Sequence, residues 1–247
     1  MVKVALVTGG GSGIGKEISI SLAKHRIKTC VIDADPLKGS ATTEQILKNG
    51  GESIFQLADV SNDEQIQNAI ASCVEIYGKL DIGVNSAGIA GARTLTHQYP
   101  EDDWNKVINI NLTGVWLSMK YQLSYMVSSQ SGTIVNISSI AGLVGLPNAS
   151  AYVAAKHAII GLTKTAALEY AQSDISINAI SPGWTRTDLI KHKIANKEQE
   201  KILADRHPIG RLCEPEEIAE TVVWLCTKAP RSITGTVIPV DGGFSAK

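Results

Sequence analysis

The 247-residue sequence lacks the features that mark nucleic-acid-binding, secreted or membrane-spanning proteins. Its 23 Lys and Arg residues are balanced by 24 Asp and Glu residues, so the formal net charge is only −1. Such a weak positive potential does not hold a phosphate backbone, and we expect no nucleic-acid partner. Nowhere do 18 apolar residues run together, and the apolar stretch at residues 1–8 is too short for a signal peptide. We therefore expect a cytoplasmic protein with no membrane contact.

Cysteine and histidine are too scattered to indicate a disulfide framework or a metal centre. The four cysteines form no CxxC pair, and we interpret them as buried structural thiols. The five histidines show neither HxxxH spacing nor His/Cys clustering, so we expect no metal site. A chain of this length can bury a sufficient core without either kind of cross-link.

Short β-branched runs alternate with longer amphipathic stretches along the whole chain. The runs predict strands at residues 3–8, 28–34, 52–58, 80–85, 132–138, 175–181 and 236–240. The amphipathic stretches predict helices at residues 13–26, 36–49, 61–77, 101–128, 150–171 and 214–227. Repeated strand-then-helix order predicts an α/β fold with a doubly wound, seven-stranded parallel sheet flanked by helices on both faces.

No repeat, low-complexity tract or linker divides the chain, which predicts a single domain over residues 1–247. The charged segment 184–210 has no strand signal. We expect it to be an irregular excursion over a site, acting as a mobile substrate lid.

The first predicted strand ends in TGGGSGIG at residues 8–15, and a helix follows. This order brings backbone N–H groups up to a pyrophosphate. Asp33 ends the second strand, 18 residues after Gly15, where an acid accepts hydrogen bonds from the adenosine ribose diol. A 2′-phosphate would meet this like charge, so the sequence predicts NAD over NADP. Two plainer interpretations stay open: a glycine turn that only packs strand on helix, and a surface carboxylate.

Residues 121–155 contain no Asp, Glu, Lys, Arg or His. The first charge after them is Lys156, four residues beyond Tyr152, which places both on one helix face. An ammonium roughly 4 Å from the phenol could favour tyrosinate by as much as ~4 kcal/mol and bring the tyrosine pKa toward neutrality. Such a phenol can exchange a proton with an alcohol or a ketone. The alternative interpretation of Lys156 is an ordinary solvent-exposed lysine on a helix, with no effect on Tyr152.

Taken together, these motifs and several others resemble the short-chain dehydrogenase/reductase family over the whole chain. The residues that carry the resemblance are those at 8–15, Asn85 to Gly88, Asn111, Ser139, Tyr152, Lys156, Pro182, Gly183 and Asp241 to Gly243. One departure is Ser86, where relatives often have a second Asn. The resemblance implies a Rossmann-type fold and a homotetramer, with a dimer as the lesser assembly. It also implies a catalytic set of Asn111, Ser139, Tyr152 and Lys156.

Within that set, the family places the serine hydroxyl against the substrate oxygen and uses the asparagine to hold a water linked to the lysine. Ser138 is the alternative to Ser139 for the hydroxyl beside the substrate oxygen. Asn111 could instead mark a helix kink. The resemblance, the glycine loop and Asp33 together predict the residues that bind NAD. They are Gly9, Ser12, Gly13, Ile14, Gly15, Asp33, Asp59, Val60, Asn85, Ala87, Tyr152, Lys156, Pro182, Gly183, Thr185 and Thr187.

Asp59 has a plainer alternative, because an Asp just before a helix is often only a cap. Small residues on the helix at 150–171 indicate a face for self-association, although packing on the protein's own sheet would also explain them. For the substrate, Leu143, Val144, Leu146 and Trp184 suggest an apolar wall, and Arg93 and His97 could reach a polar group.

The sequence therefore predicts an NAD-dependent oxidoreductase that interconverts a small-molecule secondary alcohol and a ketone. Two alternatives stay open. A non-catalytic, NAD-sensing module would need none of Ser139, Tyr152 and Lys156, and an NADPH-dependent 3-ketoacyl-type reductase would differ in cofactor and substrate. Sugars, steroids, cyclic diols and acyl thioesters all remain possible substrates.

Overall fold

The computed structural model describes residues 2–191 and 196–246. Within these ranges the strands form a seven-stranded, all-parallel sheet in the order β3-β2-β1-β4-β5-β6-β7. The strands are β1 (Val4–Thr8), β2 (Lys28–Asp33), β3 (Ser53–Leu57), β4 (Ile82–Asn85), β5 (Gly132–Ile137), β6 (Ile175–Pro182) and β7 (Val237–Val240). The predicted sheet is confirmed, and each strand begins and ends within two residues of its prediction.

The helices of the described residues cover both faces of this sheet. They are α1 (Gly13–Lys24), α2 (Pro36–Lys48), α3 (Asp63–Tyr77), α4 (Glu101–Ile108), α5 (Gly114–Ser129), α6 (Ser150–Tyr170), α7 (Asp188–Lys191), α8 (Lys197–Ala204) and α9 (Pro215–Thr227). No helix in the described ranges is long and apolar enough to cross a bilayer.

The alternation of side chains along β1 shows how the sheet separates two cores. Val4 and Leu6 pack into one cluster, which also takes residues from α3, α5 and α6. Ala5 and Val7 point to the opposite face and pack with residues from α1 and α9. Because both faces of a parallel sheet are buried, its strands are nearly continuous apolar runs, and this made them visible in the sequence.

The strand order reverses between β1 and β4, which are hydrogen-bonded neighbours. Their last residues, Thr8 and Asn85, lie side by side. The loop after β1 continues toward α1 and the loop after β4 departs to the other side, so a crevice opens at the carboxyl ends of these strands. This is the position at which open α/β sheets bind ligands.

The predicted helix over residues 101–128 is interrupted. A π-helical turn at Asn109–Thr113 separates α4 from α5. The apolar pattern continues through this turn, and its interruption was therefore invisible in the hydrophobic periodicity. Gly114 begins α5 where a Cβ atom would lie only 2.7 Å from Cγ2 of Val60, so the helix packs closely on the loop after β3.

The prediction of an irregular excursion at residues 184–210 was wrong in part. The segment contains α7 and α8, and it builds its own apolar cluster of Ile190, Leu203 and Leu212 with Trp184 packed against it. Helix α8 carries charged residues on its exposed surface and buries Leu203. Residues 192–195 of the predicted lid lie outside the described residues, and the mobility of the lid stays a prediction.

Candidate active site

The carboxyl ends of β1, β4, β5 and β6 open into one pocket of about 480 Å³. That volume lies within the ~300–1,000 Å³ of typical small-molecule sites. Of the predicted catalytic residues, Ser139, Tyr152 and Lys156 line the pocket and Asn111 does not. All the predicted cofactor-binding residues except Asn85 line it too.

The glycine loop forms a tight cradle at one end of this pocket. Gly9 has a φ of +65°, and a Cβ atom there would lie 2.7 Å from Cα of Ala87. Only glycine at this position therefore lets the loop after β1 pack closely against the loop after β4. A side chain at Gly15 would overlap the Gly9 carbonyl. Ser12 precedes α1 without a side-chain capping bond, and the first residues of the helix line the pocket. This uncapped helix start fits an anionic pyrophosphate.

Asp33 is held at the edge of the pocket by backbone amides. Its Oδ2 accepts a hydrogen bond from the Gly11 N–H at 2.8 Å, and its Oδ1 accepts one from Asp35 at 2.9 Å. A Cβ atom on Gly11 would lie 2.8 Å from Asp33 Oδ2, so a side chain there would displace the carboxylate. This fixed carboxylate in the pocket fits the diol of an adenosine ribose.

Asp59 lines the pocket and is exposed. Its Oδ1 accepts hydrogen bonds from the backbone N–H and the hydroxyl of Ser61, at 2.9 and 2.7 Å. The N-cap of α3 is Asn62, whose side chain accepts from the Gln65 N–H at 3.0 Å. The alternative that Asp59 caps the helix is therefore wrong.

Asn85 is the one predicted cofactor residue that turns away from the pocket. Its side chain is buried and donates to Asn136 Oδ1 at 2.8 Å, while Gln122 Nε2 donates to Asn85 Oδ1 at 2.9 Å. The side chain therefore joins β4 to β5 and α5. The next residue, Ser86, lines the pocket, and its N–H donates to the Thr8 hydroxyl at 3.2 Å.

Tyr152 and Lys156 lie one turn apart on α6 and share the pocket, as the spacing predicts. Lys156 is only 4% exposed. Its Nζ donates to the carbonyl oxygen of Ile137 at 2.8 Å and lies 5.6 Å from the centroid of the Tyr152 ring. Burial lowers the pKa of Lys156 to about 8.

The expected lowering of the Tyr152 pKa is not found. Burial raises the pKa of the phenol above its ordinary value, and a hydrogen bond with the Ser139 side chain only opposes this rise. The expected lowering requires the Lys156 ammonium beside the phenol oxygen, whereas in the structure this ammonium is bonded to the Ile137 carbonyl. Desolvation of the phenol therefore has the larger effect on its pKa.

The two candidate serines are separated by their hydrogen bonds. Ser138 donates its hydroxyl to the backbone carbonyl of Lys156 at 2.9 Å and is almost fully buried. Ser139 accepts from the Ala141 N–H at 3.1 Å, lines the pocket with Tyr152, and acts on the phenol in the sense that lowers its pKa. Because the Ser138 hydroxyl is bonded to a backbone carbonyl, these contacts favour Ser139 over Ser138 as the hydroxyl beside the phenol.

Asn111 lies in the π turn, fully buried beneath the loop after β4. Its side chain accepts from the Ile89 N–H and donates to the Ile89 carbonyl, both at 2.8 Å. A Cβ atom on Gly88 would lie 3.3 Å from Asn111 Oδ1 and 3.7 Å from Lys156 Nζ. Asn111 therefore fixes the loop beside the lysine. It lies in a π-helical turn between two helices, which agrees with the alternative that it marks an irregularity of the helix, and its water-holding role stays a prediction.

The structure places only some of the residues predicted for the substrate wall in the pocket, and their contact with substrate stays a prediction. Leu146, Trp184 and Arg93 line the pocket, but Leu143, Val144 and His97 do not. The sequence missed a set of apolar lining residues in the loop after β4, in the turn after β5 and in α7, where no periodic pattern marks them. They are Ile89, Ala90, Ile140, Leu189 and Ile190. In the part of the chain that the structure describes, no group of His, Cys, Asp and Glu could hold a metal ion.

Comparison with known proteins identifies the family. A family model with the description enoyl-(acyl carrier protein) reductase matches residues 9–245. The cyclohexanol dehydrogenase of Acinetobacter sp. (strain SE19) is 39% identical over 245 residues, covering 99% of this chain and 96% of that protein. The chain belongs to the short-chain dehydrogenase/reductase family. The family predicted from the sequence motifs is therefore confirmed.

Other members of the family agree with this assignment. The cis-4-hydroxycyclohexanecarboxylate dehydrogenase of Sinomonas cyclohexanicum is 37% identical, covering 99% of this short-chain dehydrogenase/reductase and 97% of the relative. The crystal structure of levodione reductase superposes with a TM-score of 0.94 at 34% identity, covering 99% of this chain and 98% of that one. The Rossmann-type fold is confirmed.

Solved structures of relatives contain both kinds of nicotinamide cofactor. An NAD+-bound xylitol dehydrogenase matches with a TM-score of 0.92 at 31% identity, covering 98% of both chains. A variant of actinorhodin polyketide ketoreductase with NADPH matches with a TM-score of 0.95 at 33% identity, covering 100% of this chain and 98% of that one. Family membership thus indicates a nicotinamide cofactor but does not choose between the two.

Proposed function

We propose that this enzyme interconverts a secondary alcohol and a ketone, with NAD+ as the hydride acceptor in oxidation and NADH as the hydride donor in reduction. The observation that carries the proposal is the convergence of Ser139, Tyr152 and Lys156 in the same pocket as the glycine loop and Asp33. The dinucleotide would lie along residues 9–15, with its adenosine ribose at Asp33. When bound, its nicotinamide supplies or accepts the hydride.

In this proposal the chain's own side chains handle the proton. During reduction Tyr152 donates its proton to the oxygen that becomes an alkoxide, and during oxidation the tyrosinate takes the alcohol proton. Ser139 donates a hydrogen bond to the same oxygen. The Lys156 ammonium stabilises the tyrosinate. Since burial raises the Tyr152 pKa, the phenol is protonated at neutral pH, which is the form that can donate a proton to a ketone oxygen.

The lining supports a ring alcohol as substrate. Leu146, Trp184, Leu189 and Ile190 provide apolar surface in the pocket. Relatives named for cyclohexanol and for cis-4-hydroxycyclohexanecarboxylate add to this support. A panel of cyclic and acyclic secondary alcohols, assayed for NADH formation, tests the proposal. We expect turnover of cyclic alcohols, whereas NAD binding with no turnover of any alcohol or ketone would favour the non-catalytic, NAD-sensing alternative.

A second candidate is an NADPH-dependent 3-ketoacyl reductase. The 3-oxoacyl-[acyl-carrier-protein] reductase of Synechocystis sp. is 39% identical over 98% of this chain, which favours it. Asp33 argues against it because a 2′-phosphate would face the carboxylate. Faster reduction of a 3-ketoacyl thioester with NADPH than of a cyclic ketone with NADH would support this second candidate.

The Asp33 carboxylate is the basis for the proposed NAD preference. Asp33→Ser removes the charge that opposes a 2′-phosphate, so we predict that the ratio of kcat/KM for NAD to that for NADP falls about tenfold or more. Asp35→Ser is the matched control, since Asp35 caps α2 and does not line the pocket. An unchanged ratio in Asp33→Ser would show that the Asp33 carboxylate does not select between NAD and NADP.

We also propose that the chain forms a single domain over residues 1–247, with residues 184–210 as the substrate lid. Self-association to a homotetramer uses the outward face of α6, for which Ala154, Gly161 and Leu168 are exposed. Ala151, Ala155 and Ala166 instead pack inward, so the small residues of this helix serve both surfaces.

A further inference from the structure

His207 does not line the pocket, but its imidazole contacts the pocket wall from behind. It lies in the turn after α8 and is only 2% exposed. Its Nε2 lies 3.1 Å from the backbone nitrogen of Trp184, which donates the hydrogen bond. Its Nδ1 lies 3.2 Å from the backbone oxygen of Leu203 in α8. Trp184 lines the pocket, so one side chain joins the pocket wall to α8.

The two partners determine where the imidazole carries its proton. A backbone N–H can only donate, so Nε2 must present a lone pair to Trp184. A carbonyl oxygen can only accept, so Nδ1 must carry the proton toward Leu203. The arrangement therefore requires the neutral Nδ1–H form of His207. On the other side of Trp184, its carbonyl accepts from the Cys213 N–H at 2.9 Å, so both backbone groups of Trp184 are held.

The Asp241-Gly242-Gly243 turn, which does not line the pocket, supports this arrangement. The Ile209 N–H donates to the Gly242 carbonyl at 3.2 Å. Gly242 has a φ of +57°, and a Cβ atom there would lie 2.5 Å from Cγ1 of Ile209. Asp241 closes the turn by accepting from the Gly243 N–H at 3.0 Å. The turn therefore fixes the backbone directly after His207.

Two further contacts leave the imidazole little freedom. The Phe244 ring lies 5.7 Å from the His207 ring, measured between centroids. A Cβ atom on Gly183 would lie 2.7 Å from His207 Nε2, so glycine at this position makes room for the ring. The ring is thus enclosed between the end of β6 and the C-terminal turn.

We propose that His207 is a positioning residue for substrate binding, which holds Trp184 against α8 so that the pocket wall keeps one arrangement. The inference rests on the proposed function, because it takes the pocket to receive the alcohol. His207 contacts the wall and not the proton-transfer residues, so its loss should weaken substrate binding far more than the chemical step. Cofactor binding at the glycine loop and Asp33 should be unaffected.

The test compares two substitutions that differ in the bond to Trp184. His207→Leu removes both hydrogen bonds and leaves the Trp184 N–H without this acceptor, so we expect KM for a cyclic alcohol to rise about tenfold. We expect kcat to change less than about threefold and the Kd for NAD to stay unchanged. His207→Gln has an amide oxygen that can accept from Trp184, and it should recover most of the lost affinity.

His25→Leu is the matched control, because His25 also bonds through Nδ1 to a carbonyl four residues earlier and does not line this pocket. A wild-type KM in His207→Leu would overturn the proposal, as would a parallel loss of kcat and of NAD affinity.

A measurement on the unsubstituted protein keeps the proposal testable if His207→Leu does not fold. The ¹⁵N NMR signals of the His207 ring should report the Nδ1–H form, and an Nε2–H or doubly protonated ring near neutral pH would overturn the inference. If the wild-type enzyme turns over no alcohol, the proposed function fails, while the ring protonation still decides whether His207 holds Trp184.

Discussion

Lys156 is a buried cation whose charge depends on pH in the range where the enzyme would be assayed. Desolvation lowers its pKa to about 8, so the ammonium predominates below pH 8 and the neutral amine above it. Tyr152 is shifted in the opposite direction, because burial disfavours the phenolate. Below pH 8 the pair is therefore a neutral phenol and a charged lysine, which is the form that can donate a proton to a ketone oxygen.

This charge state predicts the pH dependence of ketone reduction. As pH rises through about 8, Lys156 loses the charge that stabilises the developing tyrosinate, so kcat/KM for a ketone with NADH should fall. The measurement is a pH profile from 6 to 10. Lys156→Arg stays charged throughout this range and should move the fall to higher pH. A wild-type profile that is flat across pH 8 would contradict this assignment.

At the scale of secondary structure, the π turn between α4 and α5 matters most for the site. It turns Asn111 inward, where the side-chain amide hydrogen-bonds to both the N–H and the carbonyl of Ile89. Ile89 lies in the loop after β4, outside any strand or helix. The loop after β4 is thereby fixed beside Lys156. A regular helix over the same residues would change the direction of the Asn111 side chain.

Removing this contact should destabilise the protein. Asn111→Leu keeps the approximate size of the side chain but leaves the Ile89 N–H and carbonyl without their partners, so we predict a loss of ~1–3 kcal/mol in the free energy of unfolding, measured in urea. Asn109→Leu is the control, because Asn109 is exposed in the same turn and should change stability by less than ~0.5 kcal/mol. Equal effects of the two substitutions would show that the buried amide bonds are not responsible.

The strands and most helices could be predicted because their signals are local. The hydrogen-bond network of Asn85, Gln122 and Asn136 could not be predicted. Gln122 lies 37 positions and Asn136 lies 51 positions from Asn85 in the sequence, and each of the three alone resembles an ordinary polar residue. Helix α8 was missed because its charges resemble those of a surface loop. In each case the missing information is a tertiary contact.

In the candidate site too, some features could be predicted from the sequence and others depend on tertiary contacts. The residue types and spacing predicted that Tyr152 and Lys156 share a pocket with the glycine loop. The upward shift of the tyrosine pKa and the bond from Lys156 to Ile137 depend on burial and on the position of β5, which the sequence alone does not give. The pocket residues on α7 likewise depend on how that segment folds back over the sheet.

For the whole molecule, the outward face of α6 leads to a prediction about assembly. Leu168 is 83% exposed there, and a Cβ atom on Gly161 would contact nothing within 4 Å. A large side chain at Gly161 therefore fits the folded chain but would block close approach of a second copy. These features favour a second copy of this chain as the occupant of the face.

Sedimentation velocity at micromolar concentration tests this assembly. The wild-type protein should sediment as a species larger than the 26.3 kDa chain, and Gly161→Arg should shift it toward monomers. Asn68→Arg places the same charge on the exposed face of α3 and should leave the assembly unchanged. Wild-type sedimentation only as monomers would reject the homotetramer.

Proton transfer by the Tyr152 phenol is the central step of the proposed mechanism, and one comparison tests it directly. NADH formation from a cyclic secondary alcohol should be measured for the wild-type enzyme and for Tyr152→Phe, together with the Kd of each for NAD. We predict an unchanged Kd and a loss of kcat of at least ~100-fold, the lower end of general acid–base contributions. A Tyr152→Phe variant with near-wild-type turnover would contradict the proposed mechanism.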